Sequence, residues 1–243
     1  MERFSRTSLL IGKDGLEKLN RAHVALFGVG GVGGFVAEAL VRSGVGNITL
    51  FDSDTVSLSN INRQIIADTT TVNQYKTEVM ARRLKDINPN VNVYINNVFY
   101  LPENAQNYPL KHFDYVVDAI DTVSGKIALI CQAKGENVKV ISCMGMGGKV
   151  DITAIKTADI YKTKECALAR VMRRELKKRG IENLKVVYST ETPLDVTKNL
   201  QDAGEEVEKR ASGRVAPPSM IFVPAAAGLM IAKEVVFDLI NEK

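Results

Sequence analysis

The apolar residues of this chain fall into two periods. Val24-Ala25-Leu26-Phe27 is a short apolar run ending at glycines, the mark of a strand buried on both faces. From Val32 to Ser43, Phe35, Val36, Ala39 and Leu40 recur on one helical side, and Gly44 and Gly46 stop that helix. Asn47–Asp52 reads as a second strand, and Lys76–Ile87 as a helix closed by Asn88-Pro89. Val91–Val98 alternates apolar and polar residues, as a strand does. Tyr115–Ile120 is a further buried strand, followed by a helix near Lys126–Lys134 and a strand over Val138–Cys143. Leu9, Leu10, Ile11, Leu16 and Leu19 predict that the first 20 residues form a helix packed on the body.

Strands alternating with helices in this way predict an α/β fold with a doubly wound, mostly parallel, Rossmann-like sheet. Past Gly145-Met146-Gly147-Gly148 the pattern changes. Val150–Ile155 reads as a strand. Ala167, Leu168, Val171, Met172 and Leu176 then recur at helical spacing, with basic residues on the other faces. Val186–Ser189 is another strand, residues 194–218 are polar and aperiodic, a mobile loop, and Ala225–Ile240 closes the chain as a helix. The expected organisation is a nucleotide-binding core over residues 1–150. A strand and basic-helix extension over 151–243 continues the same domain.

The chain has 243 residues, enough to bury roughly 70–75% of its unfolded surface without staples. Gly and Pro together number 25, which excludes collagen-like and wholly disordered chains. Cys131, Cys143 and Cys166 form no C-x-x-C pair, so neither zinc nor a disulfide framework is expected. The longest mostly apolar run, Ser219–Ala232, has 14 residues and is too short to span a membrane. The polar start, Met1–Arg6, lacks a signal peptide's apolar core, so a cytoplasmic location is expected.

Net charge is +4, unevenly placed. Residues 156–185 hold ten basic and four acidic residues, a surplus of six, which leaves the remainder slightly acidic. A basic face on a near-neutral body suits a polyanion, and it also suits a solvated helix.

Gly28-Val29-Gly30-Gly31-Val32-Gly33 follows a strand and opens a helix. Glycines there permit a tight turn and let backbone N–H groups reach phosphate at a helix N-terminus. Asp52, at the end of the next strand, is placed to hold ribose hydroxyls. This signature alone fits an NAD-dependent oxidoreductase. Arg63 and Lys76 shift the balance toward a triphosphate, whose extra charge needs cations. Asp121, at the carboxyl end of a strand, is placed to take Mg²⁺ through oxygen.

Gly28-x-Gly-Gly-Val-Gly, Asp52-x-Asp54-x-Val56-x-x-Ser59-Asn60-x-x-Arg63-Gln64, Lys76 and Asp121 together resemble the ThiF/MoeB/HesA group of adenylating enzymes. The resemblance runs over about residues 3–150. It implies ATP and Mg²⁺ as cofactors, with Gly28, Gly30, Gly31, Gly33, Asp52, Asp54, Asn60, Arg63, Gln64 and Lys76 around the nucleotide. Asp121 would hold the metal and be essential. Arg3-Phe4-Ser5-Arg6 is similar to the group's N-terminal arginine segment, which implies a homodimer with Arg6 reaching the other subunit's phosphates.

The second half sets the chain apart from the zinc-binding members. Gly145–Gly148, Asp151-x-Thr153-x-Ile155, the basic helix and Phe222-Val223-Pro224-x-x-Ala227-Gly228 are similar to the tRNA-modifying dehydratases of the same group. That resemblance implies adenylation of the threonyl carboxylate of threonylcarbamoyladenosine in tRNA, then ring closure. It makes Arg170, Arg173, Arg174, Lys177, Lys178 and Arg179 candidates for RNA contact. The alternative within the group is activation of a ubiquitin-like sulfur carrier, and a cysteine desulfurase or sulfur acceptor is a conceivable partner of either. Glu165-Cys166 stands where this branch leads one to expect Asp-Pro, so no metal or catalytic role is assigned to that pair. Cys143 and Cys131 are expected to be packed, whereas Cys166, near the basic segment, is open to exposure; His23 and His112 are expected to be structural.

Overall fold

The computed structural model describes residues 2–197, 199 and 217–241. A seven-stranded sheet is built from β1 (His23–Phe27), β2 (Asn47–Phe51), β3 (Asn92–Asn96), β4 (Tyr115–Asp118), β5 (Lys139–Cys143), β6 (Ile155–Asp159) and β7 (Lys185–Ser189). Their order is β3-β2-β1-β4-β5-β7-β6. All neighbours run parallel except β6 and β7. The order reverses between β1 and β4, which leaves a crevice at their carboxyl ends. β7 pairs with β5, so the C-terminal extension continues the same sheet.

Both faces are covered, which is why the central strands read as unbroken apolar runs. On β1, Val24 and Leu26 point into one core and Ala25 and Phe27 into the other. The first core also holds α2 (Gly33–Ser43), α3 (Lys76–Ile87) and α6 (Phe222–Ile240). The second holds α4 (Val123–Gly135) and α5 (Ala167–Lys178). Gly44, at φ 111°, ends α2 in a Schellman arrangement: its N–H bonds Val41 O, and Val45 N–H bonds Leu40 O. α6 lies on α2 so closely that a Cβ on Gly228 would sit 2.6 Å from Val32 O and 2.8 Å from Phe35 Cβ. Lys185 ties α6 to the sheet through Asp238 (2.7 Å) and Glu234 (3.3 Å). No helix among the described residues is long and apolar enough to cross a membrane.

Four expectations change. The strand read over Val150–Ile155 begins only at Ile155. Val150 and Ile152 are about half exposed, and Asp151 accepts the Thr153 N–H to close a 3-10 turn instead. The alternation there is a local Asp turn, not a sheet face. The N-terminal helix α1 (Ser5–Arg21) breaks at Gly12, φ 77°, ψ 167°. That break turns Leu9 and Leu10 to solvent (87% and 82% exposed), and only Leu19 of the apolar set is fully buried. α4 starts at Val123 and α6 at Phe222, each three residues earlier than expected; Pro224 is tolerated because it lies in the first turn of α6. Most of the 194–218 segment lies outside the described residues.

Gly228→Ala should lower stability by about 1–3 kcal/mol through overpacking. Thermal unfolding should show a fall in Tm of several degrees, with the two-state shape kept; an unchanged Tm would mean that α2 and α6 are not locked together.

Candidate nucleotide site

The glycine turn is fixed by backbone contact. Gly28 has φ 91°, its N–H donates to Phe51 O (2.8 Å), and a Cβ there would stand 2.6 Å from Ala119 O. A Cβ on Gly33 would meet Gly28 O at 1.8 Å. These two positions exclude any side chain. Above Gly30, by contrast, the nearest group is Gln64 Nε2 at 4.0 Å, so the turn opens into space at the N-terminus of α2.

Asp52 continues from β2 into this turn. Its Oδ2 accepts Val29 N–H (2.7 Å) and its Oδ1 accepts Asp54 N–H (2.9 Å). Burial raises its pKa above the ordinary carboxylate value, against the opposing charge of Lys76 and the two backbone bonds. The loop after it folds back on itself: Val56 N–H bonds Gln74 O, Asn73 N–H bonds Val56 O, and Lys76 N–H bonds Asp54 O. That closure delivers Lys76, buried at the start of α3, to Asp54, with Nζ 2.6 Å from Oδ2. Within the loop, Asn60 is buried and its Oδ1 accepts Ser57 N–H (3.2 Å). Arg63 Nη1 donates to Ser59 O (2.9 Å). Gln64 is buried, and its Oε1 has no partner.

Together these groups line a cavity of about 600 Å³ at the switch point of the sheet. Gly28, Gly30, Gly31, Asp52, Asp54, Asn60, Arg63, Gln64, Lys76 and Asp121 all border it. Gly33 lies behind the turn, against Gly28, and does not. Arg6 is exposed on α1 and lies outside the cavity of its own chain. A larger hollow of about 840 Å³ between α4 and the end of α5 contains none of these groups.

Several lining residues escaped the sequence reading. Phe27 and Phe51 stack at 4.0 Å between centroids, with Tyr100 edge-on to Phe27 at 4.9 Å, and form an aromatic wall. Phe27 and Phe51 end paired strands in register, a signal present in the sequence; Tyr100 lies in irregular chain and gave none. Met144, Met146 and Leu168 close the far side. At the floor, Lys126 Nζ is 3.0 Å from both oxygens of Asp118, both residues fully buried.

α5 carries its basic residues outward, but not uniformly. Glu175 pairs with Arg174, Lys178 and Arg179, which hold its carboxyl down at about 2. Arg173 is half-buried, its Nη1 bonded to Thr163 O (3.1 Å). Arg170 and Lys177 are exposed and form no ion pair among the described residues. Cys166, which the sequence left open to exposure, is buried because it packs under the start of α5 in the second core. Cys143 is buried too, and burial pushes its thiol up to about 12. Cys131 is half-buried on α4. His23 bonds Thr49 Oγ1 (2.8 Å) and borders no part of the cavity.

A mostly parallel sheet with a glycine turn, an acidic strand end, converging cations and a cavity at its switch point defines an α/β nucleotide-binding protein. The sequence model of the ThiF family matches residues 4–242, and the chain belongs to that family. It is 41% identical over 244 residues to tRNA threonylcarbamoyladenosine dehydratase of Bacillus subtilis, covering 100% of this chain and 96% of that protein. It is 39% identical over 198 residues to the Escherichia coli protein of the same name, covering 78% and 74%. A crystal structure of E. coli tRNA N6-threonylcarbamoyladenosine dehydratase, TcdA, in complex with ATP has a similar fold. Its TM-score is 0.86 at 32% identity, covering 98% of this chain and 93% of that one.

Replacing Lys76 with Met removes the charge that opposes the desolvation of Asp52. Asp52 should then titrate at higher pH than in the parent protein, so its ionised form, the one that accepts ribose hydroxyls, is lost earlier on acidification. Carboxyl carbon NMR of Asp52 reads this directly; an unchanged or lowered midpoint would place Lys76 outside the electrostatics of the pocket.

Proposed function

We propose that this protein is an ATP-dependent dehydratase acting on threonylcarbamoyladenosine in tRNA. The observation that carries the reading is the meeting of Arg63, Lys76 and Asp121 in one cavity under the glycine turn. It occurs in a chain similar along its whole length to a protein of that name. An oxygen of the threonyl carboxylate attacks the α-phosphorus of ATP; the bond to the bridging oxygen breaks and pyrophosphate leaves. The carbamoyl nitrogen then attacks the activated carbonyl, AMP departs with the carboxylate oxygen, and the nitrogen gives up one proton. The base product is lighter by one water.

The carboxylate is already ionised, so this chain needs to supply position and positive charge rather than a base. Lys76 and Arg63 face the phosphates, and Asp52 orients the ribose. A phosphate entering beside Lys76 displaces the exposed Asp54 carboxylate as its partner. Magnesium fits the donors present: Asp121 would hold it through a carboxylate oxygen at the cavity edge, beside the nucleotide's phosphates. Among the described residues no group of three metal-binding side chains forms a cage on its own. Bound there, the ion would neutralise charge on the triphosphate.

A homodimer with Arg6 acting across the interface is part of this reading. It is supported by the position of Arg6 outside its own cavity and by the bare Leu9-Leu10 pair one turn away. The tRNA backbone would lie along α5, chiefly on Arg170 and Lys177, with Arg174, Lys178 and Arg179 released from Glu175 on contact. A cytoplasmic location accords with a tRNA substrate. The scheme uses no thiol, so it needs no sulfur-transfer partner. Activation of a sulfur carrier would use the same cavity but gives the basic helix no role.

With ATP, Mg²⁺ and threonylcarbamoylated tRNA, mass spectrometry of the nucleosides should show a product lighter by one water; its absence would refute the reading. Asp121→Ala should lower turnover by roughly 10²–10³ or more, as loss of one charge-stabilising group does. Arg6→Ala and Asp121→Ala proteins, each inactive, should regain about a quarter of wild-type activity when mixed, since half of random dimers hold one intact site. No recovery would mean that Arg6 does not act across the interface, and an active Arg6→Ala protein would place it outside the site. Arg170→Glu with Lys177→Glu should raise the tRNA KM and lower the salt slope of binding by about 2, sparing ATP affinity.

A further inference from the structure

The ion pair at the cavity floor has more to do than fill space. Asp118 is the last residue of β4, in register with Phe27 on one side and Ser142 on the other. Its Oδ1 accepts from Lys126 Nζ (3.0 Å) and from Ile120 N–H (3.2 Å). Its Oδ2 accepts from Lys126 Nζ (3.0 Å) and from Ser142 Oγ (2.5 Å). One carboxylate thereby joins the end of β4, the first turn of α4 and the carboxyl end of β5. The four residues between β4 and α4 are the turn that carries Asp121. The same turn presents Ala119 O to Gly28, at the distance that forbids a Cβ there.

A buried ion pair is a weak stabiliser, because desolvation offsets most of its attraction, and apolar residues of equal volume often serve stability better. What it supplies is direction: a fixed charge with fixed hydrogen bonds admits one geometry. We propose that Asp118 and Lys126 are positioning residues, a clasp that holds the Asp121 turn against the glycine turn and so sets the spacing between the metal-holding carboxylate and the phosphates. This rests on the adenylation reading for what Asp121 does. Lys126 lies at the cavity floor, where its charge is engaged by Asp118 and Ser142.

The test uses two variants of the full-length protein. Asp118→Asn combined with Lys126→Met removes both charges, so neither is stranded; Ser142→Ala removes one bond to Asp118. Two quantities are read: binding of a non-hydrolysable ATP analogue with and without Mg²⁺, and exchange of the Ile120 amide. The double variant should bind the analogue without metal within about twofold of wild type. The gain in affinity from Mg²⁺ should shrink by about tenfold or more, as when the groups that orient a ligand are removed. Ile120 should exchange faster, and kcat should fall with the ATP KM held. Ser142→Ala should shift the same readings in the same direction by a smaller factor.

A folded double variant with wild-type metal gain and wild-type Ile120 protection overturns the clasp. If the double variant does not fold, Ser142→Ala decides, and wild-type values there overturn it. If the wild-type protein itself gains nothing from Mg²⁺, the reading of Asp121 fails instead, and Ile120 exchange alone decides whether the clasp exists.

Discussion

Two backbone turns meet at the centre of this molecule with no room between them for a single carbon. The glycine turn after β1 rests on the turn after β4, with Gly28 against Ala119 O at the contact and Gly33 backing Gly28 from within the first turn. The crevice of a doubly wound sheet is a general feature. Here its width is set by that contact, and everything around the cavity is referenced to it. Asp52 is anchored to Val29 in the glycine turn, Asp121 rides on the opposing turn, and Pro224 of α6 lies beside Gly31 at the cavity wall. A shift of either turn moves the acidic and basic groups relative to one another, which is the one change a site of opposed charges cannot absorb.

The electrostatics follow the same economy. Lys76 is a buried cation whose partner, Asp54, is exposed, so its charge is held ready without being deeply committed. Its field eases the ionisation of Asp52, whose own burial works the other way. A polyanionic ligand finds cations whose desolvation cost was met when the chain folded, which is the physical content of preorganisation.

Much of this was legible in the residues. The order of strands and helices through Cys143, the glycine turn, Asp52, Lys76 and Asp121 could be placed because each sits at or just past a strand end or at a helix start, where the period of the pattern changes; Arg63, inside a polar loop, was placed by the motif around it. The errors share a cause. Val150–Ile155 alternates like a strand, but Asp151 bonds its own backbone, and a local bond of that kind is invisible to periodicity. Leu9 and Leu10 have the right spacing for a packed helix, and one glycine two residues on reverses their direction. The Asp118–Lys126 pair could not be read at all, since a lysine on an apolar helix looks like a surface residue until the fold encloses it. The aromatic wall combines two readable strand ends with Tyr100, which only the tertiary structure brings alongside.

The charge count of the basic helix also conceals something that Glu175 makes plain. Three of its cations already carry a tethered counterion, and a carboxylate fixed to the protein is not released into solution when a phosphate takes its place. Three cations and one fixed carboxylate leave a net charge of about two, so a polyanion on that surface would shed fewer of its condensed cations than the number of basic side chains suggests. Ionic strength will therefore under-report the footprint on α5, and the contacts it fails to register will be those nearest Glu175.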